Sequence, residues 1–325
     1  MGQGRTTPAQ LLKFLLGAAF FFWMVHSGKL DVLQVIDSLA RWPTLMAMLS
    51  LLYLQCAVTA WRWNLLLRAQ EIWIPYRRAF GLAMIGLLFN LVVPGAVGGD
   101  VIKAYYITRA APGRKSQAAT SVLMDRILGV VALFLLTALV SMFNFRTLEQ
   151  TTVMRHLGTF VIAGLVGGTL VLYSAVQAGT LLSEWHGLPR VVRSAFLSVS
   201  RYREKSSVIP FALAVTLLAH SLSCLAYFLA LRATGQAGDI TVAYFLLLVP
   251  LGLLPTAIPI SPAGIGVGQA AFFALFRIVS LADATAAASA FTVFQLVTIL
   301  ISLSGLYWYL SYKHAATPDS VDLKR

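Results

Sequence analysis

Apolar residues fall into nine segments along this chain, separated by polar stretches, and these segments predict α-helices that cross a membrane. A membrane-spanning helix needs roughly 20 mostly apolar residues. The two-residue alternation of a membrane β-strand is absent. We therefore predict an all-α, polytopic helical membrane protein with spans at residues 11–25, 43–60, 79–94, 126–143, 160–176, 209–231, 244–258, 267–280 and 286–312.

Two of the apolar regions are interrupted by proline and glycine, one in each half of the chain. Residues 90–100 read N-L-V-V-P-G-A-V-G-G-D, and residues 257–269 read A-I-P-I-S-P-A-G-I-G-V-G-Q. Lipid cannot satisfy the backbone groups of a broken helix, so such a segment must be buried in protein or line a wet cavity. A matched pair of breaks in two halves points to a transporter site near the bilayer midplane.

Composition and charge support a membrane location and set the predicted orientation. Hydrophobic residues make up 58% of the chain and charged residues only 11%, against about 25% charged in a soluble domain. The formal net charge is +13, which we assign to loops that face anionic lipid headgroups rather than to nucleic-acid binding. With both termini in the cytoplasm, 19 of the 25 Lys and Arg residues lie inside, five lie outside, and Arg277 stays in the membrane.

This charge distribution requires region 79–115 to enter and leave on the cytoplasmic side, and region 244–280 on the outer side. The prediction is therefore two inverted re-entrant or broken-helix hairpins in one membrane domain, 1–314, with halves at about 1–143 and 160–312 and a polar tail at 315–325. We also predict a surface amphipathic helix over 64–78 and a basic loop over 186–207 that contacts anionic lipid. We expect the protein in the cell membrane.

Few ionisable residues fall within the predicted spans, and such residues are costly enough to be functional candidates. Asp100 follows the first break, and it either caps its own helix or also contacts substrate or an ion-pair partner. Asp125 and Arg126 open the fourth predicted helix, where Arg126 pairs with Asp100, meets a lipid phosphate, or serves with Asp125 as an interfacial anchor. We expect Arg277 to face a buried partner or an aqueous cavity.

Helix restarts after the two glycine-rich breaks also direct backbone N–H groups and a partial positive charge inward, as phosphate-binding helix ends do. Motifs for metal-dependent or nucleophilic catalysis are absent from the sequence, so we expect no metal, no cofactor and no enzymatic activity. His220, inside a predicted span, is interpreted as a packed, hydrogen-bonded polar group.

The residues around the breaks resemble the flippase-like transmembrane family of lysylphosphatidylglycerol synthetase. The first break is similar to the family pattern N-x3-P-[GS]-x2-G-G-D-x2-[RK]-x-Y followed by S-x3-[DE]-R, and the second to P-x-S-x-x-G-x-G-V. One difference is that many members carry Arg-Glu after the second pattern, where this chain has Gly268 and Gln269. The predicted substrate-binding residues are Asn90, Pro94, Gly98, Gly99, Asp100, Lys103, Tyr105, Asp125, Arg126, Pro259, Ser261, Gly264, Gly266, Gln269 and Arg277.

The resemblance implies movement of a phospholipid or polyprenyl-linked lipid between leaflets, with anionic phosphate headgroups as the expected partners. Because the chain ends at Arg325, we expect it to lack the family's aminoacyl-transfer activity. Two alternatives stay open: a membrane enzyme that acts on lipid phosphates, and an accessory subunit of a lipid or glycan pathway. The sequence leaves the lipid, the energy source and the oligomeric state open.

Overall fold

The fold was obtained as a computed structural model, which describes residues 8–92, 98–143, 152–183, 189–205, 207–236, 242–257, 264–279 and 283–315. Within these ranges the regular structure is helical and contains no strand. The helices are α1 Pro8–His26, α2 Val32–Ala40, α3 Trp42–Ala69, α4 Tyr76–Val92, α5 Gly98–Ala110, α6 Lys115–Phe143, α7 Thr152–Ser183, α8 Arg190–Glu204, α9 Val208–Ala233, α10 Val242–Leu253, α11 Val267–Val279, α12 Ala284–Leu303 and α13 Gly305–Ala315. Short 3₁₀ segments at Pro112–Arg114 and Leu254–Ala257 join two of these helices to their neighbours.

Five stretches in the described part of the chain are helical, long and apolar enough to cross a membrane. They are Trp42–Ala69, Pro112–Met142, Arg155–Ser174, Val208–Ala233 and Ala284–Tyr312. Two shorter apolar stretches, Phe245–Thr256 and Val267–Ile278, flank the second break. The prediction of a polytopic, all-α membrane protein is confirmed.

The start of the fourth predicted span is wrong by more than two helical turns. Helix α6 begins at Lys115 rather than Arg126, so Asp125 and Arg126 lie inside it instead of opening it. No proline or glycine interrupts residues 115–126, and ion pairs described below accommodate the charges. Asp125 is buried, which excludes the interpretation of that residue as an interfacial anchor.

The predicted surface helix at 64–78 is also wrong, because α3 continues without interruption to Ala69. Its last turns are buried: Asn64, Leu66 and Leu67 have almost no exposed surface. The apolar residues of this stretch therefore extend the face of α3 that packs on its neighbours. A short non-helical connection then leads to α4 at Tyr76.

The predicted basic loop at 186–207 contains helix α8, Arg190–Glu204, instead. Val192, Phe196 and Val199 recur at helical spacing and pack beside α6 and α7, which the arginine-rich composition obscured. Two smaller differences concern α2, which the sequence did not predict, and the last span, which divides at Ser304 into α12 and α13.

Packing gathers the helices that carry the two breaks around α3, α9 and α12. One apolar cluster unites α3, α9 and α12 with α10 and α11, around the aromatic residues Tyr227, Phe272 and Phe291. A second joins α3, α4, α5 and α6 and includes Trp63, Leu82 and Ile107. The helices that flank the first break, α4 and α5, thus pack beside α3 and α6, whereas α10 and α11, which flank the second, pack with α9 and α12.

Candidate functional site

Helices α4 and α5 form a close antiparallel hairpin at the first break. A Cβ atom on Gly99 would lie 2.0 Å from the carbonyl oxygen of Gly86, so only glycine permits this approach of the two backbones. The Gly99 N–H donates to Oδ1 of Asn90 at 2.7 Å. The side-chain amide of Asn90 therefore satisfies one of the free N–H groups with which α5 begins.

The start of α4 and the end of α5, which lie away from the break, both contact Tyr312. Arg78, near the start of α4, donates from Nε to the hydroxyl of Tyr312 at 2.8 Å. The ring of Tyr106, near the end of α5, packs edge-on against Tyr312 at 5.3 Å between centroids. The chain thus returns to the end of the bundle from which α4 started, and its re-entrant placement in the bilayer stays a prediction.

Three buried charges meet where α3, α5 and α6 converge. Asp125 Oδ1 lies 2.8 Å from Arg62 Nε, and Oδ2 lies 2.9 Å from Lys103 Nζ. Arg62 also donates to Thr216 Oγ1 at 2.9 Å, and all three charged side chains are more than nine-tenths buried. One carboxylate therefore holds two cations and leaves this triad with one positive charge in excess.

Lys103 is further positioned by an aromatic ring. Its Nζ lies 4.0 Å from the ring centroid of Trp63, a cation–π geometry that stabilises a desolvated ammonium group. The indole N–H of Trp63 donates to Ser121 Oγ at 3.2 Å and fixes the ring. Ser121 and Asp125 lie one turn apart on α6, so one face of α6 orders both contacts of the lysine.

A second ion pair, between Asp100 of α5 and Arg126 of α6, lies next to the triad. Both side chains are 30% exposed, so this pair is more accessible than the buried triad. Asp100 also stands in the first turn of α5, where a negative charge is favourable. The predicted pairing of Asp100 with Arg126 is present in the structure.

These groups border a cavity of about 140 Å³ between α3, α4, α5 and α6. Three charged residues line the cavity: Asp100, Lys103 and Asp125. Two more cations pair with them, Arg62 with Asp125 and Arg126 with Asp100. The net charge of these five groups is one positive unit. The wall residues are Gln55, Cys56, Thr59, Ala83, Gly86, Leu87, Asn90, Gly99, Asp100, Lys103 and Asp125.

The second break has a neutral centre. Gln269 is fully buried, and its Oε1 accepts from the Gly266 N–H at 2.8 Å. Its Nε2 donates to Oε1 of Gln295 at 2.8 Å and faces Thr292 Oγ1 at 3.4 Å. Gln269 thus accepts a hydrogen bond from a backbone N–H at the start of α11, as Asn90 does at the start of α5.

Backbone geometry and aromatic packing complete the second break. Gly264 and Gly266 adopt φ angles of +74° and +82°, which L side chains rarely adopt. A Cβ atom on Gly268 would lie 2.0 Å from the ring of Phe291. The rings of Phe272 and Phe291 stack at 4.8 Å. An arginine at position 268 would displace this packing, which gives a physical reason for glycine where many family members carry Arg.

The other predicted site residues divide into two groups. Tyr105 is 48% exposed and lies against Arg109, outside the walls of the cavity. Arg277 is exposed near the end of α11, 5.8 Å from the ring centroid of Phe273, and its expected contact with a buried partner or an aqueous cavity stays a prediction. Pro94, Pro259 and Ser261 lie outside the described residues.

His220 contacts the Gly129 carbonyl at 3.0 Å, as its interpretation as a packed polar group requires.

Sequence reasoning missed Arg62, which it treated as a cytoplasmic charge at the end of a span. A usable signal was present: Gln55, Thr59 and Arg62 follow one another at helical spacing within the apolar run of α3. Gln55 donates to Thr59 at 3.2 Å, and both line the cavity that borders the triad. A polar stripe along one face of an apolar helix predicts a buried polar contact rather than a surface charge.

Fold and geometry define a multi-span helical membrane protein with a charged site among its helices. Residues 10–305 match the family described as the lysylphosphatidylglycerol synthase TM region, and the chain belongs to this family. A UPF0104 membrane protein of Pyrococcus horikoshii is 25% identical over 264 residues, which are 74% of this chain and 78% of the relative. A second, of Methanothermobacter thermautotrophicus, is 25% identical over 256 residues, covering 70% and 73%.

Proposed function

We propose that this protein moves a lipid with an anionic phosphate headgroup, a phospholipid or a polyprenyl-linked lipid, between the leaflets of the cell membrane. The observation that carries the proposal is the Arg62–Asp125–Lys103 triad at the cavity of the first break. A single charged side chain at the centre of a membrane helix costs about 2.5–3.5 kcal/mol on insertion scales. Charged groups kept at such a cost are functional candidates by default.

The sign of the charge indicates the substrate. The five charged groups around the cavity leave one positive unit, which a phosphodiester with one negative charge would neutralise. Lys103 is the cation that both lines the cavity and lies in the triad. Removing Lys103 would leave a neutral Arg62–Asp125 pair, so Lys103 is the group that we assign to the phosphate.

The accessible polar groups near Lys103 support the same assignment. Gln55, Thr59 and Asn90 offer amide and hydroxyl groups to a headgroup from the cavity walls. Asp100 and Arg126, which are partly exposed, form a pair that an incoming phosphate could open. The second break, with its neutral amides and stacked rings, serves in this proposal as a fixed support for the bundle.

Proteoliposomes that carry fluorescent lipid in both leaflets test the proposal. A membrane-impermeant reductant bleaches only the outer leaflet, so transport appears as bleaching of the inner-leaflet fraction. The panel contains labelled phosphatidylglycerol, phosphatidylethanolamine, phosphatidylcholine and a polyprenyl phosphate. We expect faster exchange of at least one anionic lipid than in protein-free vesicles; no acceleration for any lipid would contradict transport. Release of phosphate from the same lipids would favour a membrane enzyme.

Lys103→Met is the decisive variant, because it removes the excess positive charge and leaves the Arg62–Asp125 pair in place. We expect it to abolish exchange of the anionic lipid while the protein remains monodisperse in detergent. The matched control is Arg109→Met on the same helix, since Arg109 is exposed and outside the cavity. Equal exchange by both variants would contradict the assignment of Lys103.

We also propose that both termini lie in the cytoplasm. Contacts at one end of the bundle support this proposal. Gln70 and Glu71 follow α3, and Arg114 donates to the Gln70 carbonyl and pairs with Glu71. Arg201 of α8 approaches the same Glu71. That end therefore collects basic residues from several elements, as cytoplasmic ends do. Labelling of single cysteines placed at each terminus by an impermeant reagent, before and after membrane permeabilisation, checks the assignment.

A further inference from the structure

A groove distinct from the cavity of the first break runs between the end of α3 and the start of α9. Its volume is about 520 Å³. We call it the α3–α9 groove and define it by its lining residues Leu65, Arg68, Ala69, Trp73, Lys205, Ser207, Val208 and Phe211. None of these residues lines the cavity that the proposed transport function uses.

The α3–α9 groove is amphipathic along its length. Arg68 and Lys205 lie at its polar end, where α3 ends and α9 begins. Leu65, Val208 and Phe211 continue the groove along the two apolar helices, and Phe211 is 50% exposed. Both helices are candidate membrane spans, so we assign the cations at their ends to the level of the headgroups and the apolar residues to the level of the acyl chains.

An exposed aromatic residue marks the same boundary. Trp73 is 73% exposed and lies 5.8 Å from the guanidinium of Arg68. Tryptophan concentrates at the interface between the hydrocarbon and the headgroups. Deeper in the groove, Phe211 packs edge-on against Trp61 at 5.8 Å, which holds its ring along the groove wall.

The electrostatic balance of the groove favours an anion. Of the described residues that line it, two are basic and none is acidic. The nearby Glu71 pairs with Arg114 and is approached by Arg201, and the charge of Lys205 also acts on its carboxylate, so three cations share this one acidic group. Glu204, which precedes Lys205 in the sequence, is exposed and is the other acidic residue near the groove in the described part of the chain.

We propose that the α3–α9 groove binds one anionic phospholipid of the surrounding bilayer. Its phosphate lies between Arg68 and Lys205, and one acyl chain follows Leu65, Val208 and Phe211. The occupant is a lipid because the cations continue directly into an apolar groove on two membrane spans. This site is independent of the transported lipid, and binding here requires no movement between leaflets.

Native mass spectrometry of the detergent-solubilised protein tests the site with phosphatidylglycerol and phosphatidylcholine of matched acyl chains. We expect phosphatidylglycerol to bind more tightly than phosphatidylcholine. The affinity for phosphatidylglycerol should fall about 25-fold in the double variant Arg68→Gln/Lys205→Gln, since each cation near a headgroup contributes about a fivefold factor. The control Arg77→Gln/Arg203→Gln removes two exposed cations of the same end that do not line the groove. Equal affinity for both lipids, or equal loss in both double variants, would overturn the proposal.

A fluorescence measurement on the otherwise unchanged protein adds a readout that does not depend on the charge variants. Phosphatidylglycerol with bromine on its acyl chains quenches nearby tryptophan emission. We expect brominated phosphatidylglycerol to quench more than brominated phosphatidylcholine at equal concentration. Because Trp73 lines the groove and Trp61 packs against Phe211, the double variant Trp61→Phe/Trp73→Phe should remove most of the difference. An unchanged difference in this double variant would overturn the proposed position. Loss of the bound lipid to excess inorganic phosphate would also overturn it, since that result indicates a site for free phosphate.

Discussion

The two breaks solve the same backbone problem with different surroundings. At both restarts a side-chain amide oxygen accepts a hydrogen bond from a backbone N–H: Asn90 accepts from Gly99, and Gln269 accepts from Gly266. Around the first, however, three charged residues line a cavity, and two arginines pair with them. Around the second, the described residues provide hydrogen-bonded buried amides and stacked rings. A likeness in the backbone therefore does not make the breaks equivalent sites, and the charged side chains distinguish them.

Removing the central carboxylate of the first break is expected to have the largest effect. Asp125→Ala leaves Arg62 and Lys103 buried without their shared partner, which costs about 3–5 kcal/mol of unfolding free energy. This loss of stability is measured by denaturing the protein in detergent and monitoring its helical circular dichroism signal. Lys103→Met serves as the comparison, because it keeps a neutral pair and should cost far less. Equal destabilisation by the two variants would contradict the account of the triad.

The glycines of the two breaks should respond differently to alanine. Gly99→Ala meets the Gly86 carbonyl, which is backbone and cannot move aside, and we expect a loss of about 3 kcal/mol. Gly268→Ala meets the ring of Phe291, a side chain that a second change can shorten. Thermal unfolding should therefore show that Phe291→Leu recovers stability in the Gly268→Ala background, whereas no single side-chain change recovers Gly99→Ala.

Gly167→Ala is the matched control for both glycine variants. Gly167 lies in α7, and a Cβ atom there has no neighbour within 4 Å. Alanine is favoured over glycine in a helix interior by about 0.5–1 kcal/mol, so this variant should be neutral or slightly stabilising. A loss at Gly167 as large as that at Gly99 would mean that the measurement reports general sensitivity rather than backbone contact.

Gln269→Leu tests whether the second break is structural. The change leaves the Gly266 N–H and the Gln295 amide without their contacts to Gln269, which should cost about 2 kcal/mol. Lipid exchange per folded molecule should remain at the unmodified level, because Gln269 does not line the charged cavity. Loss of exchange in a fully folded Gln269→Leu protein would show that the second break also contacts substrate.

The sequence predicted the class of fold and the first break better than it predicted the arrangement of charges. Hydropathy identified the apolar helices, and the prolines and glycines of residues 90–100 predicted the interruption between α4 and α5, because both signals are local along the chain. Arg62 was missed because its partner Asp125 lies 63 positions away, and a lone arginine near a helix end is typical of a surface charge. The helical α8 was missed because its arginines outweighed the apolar spacing of Val192, Phe196 and Val199.

The smallest expected effect concerns the ion pair between Glu71, which precedes α4, and Arg114, which follows α5, at the end of the α4–α5 hairpin away from the break. A hydrogen bond from Arg114 and its positive charge lower the pKa of Glu71 below its ordinary value of 4.5. A lowered folded-state pKa contributes stability above the unfolded-state pKa, and this contribution is lost as the pH falls through the folded-state pKa. The pair is exposed, so the contribution is small.

We therefore expect Glu71→Gln to lower the melting temperature slightly at neutral pH and to match the unmodified protein once the pH has fallen well below 4.5. High salt should reduce the neutral-pH difference, because the pair is exposed and its attraction is screened. A carboxylate for comparison is Asp283 at the start of α12, where Asp283→Asn keeps a side-chain acceptor for the Thr285 N–H. A difference for Glu71→Gln that persists undiminished in acid would indicate that Glu71 acts through its backbone turn, where its φ is +58°, and not through its charge.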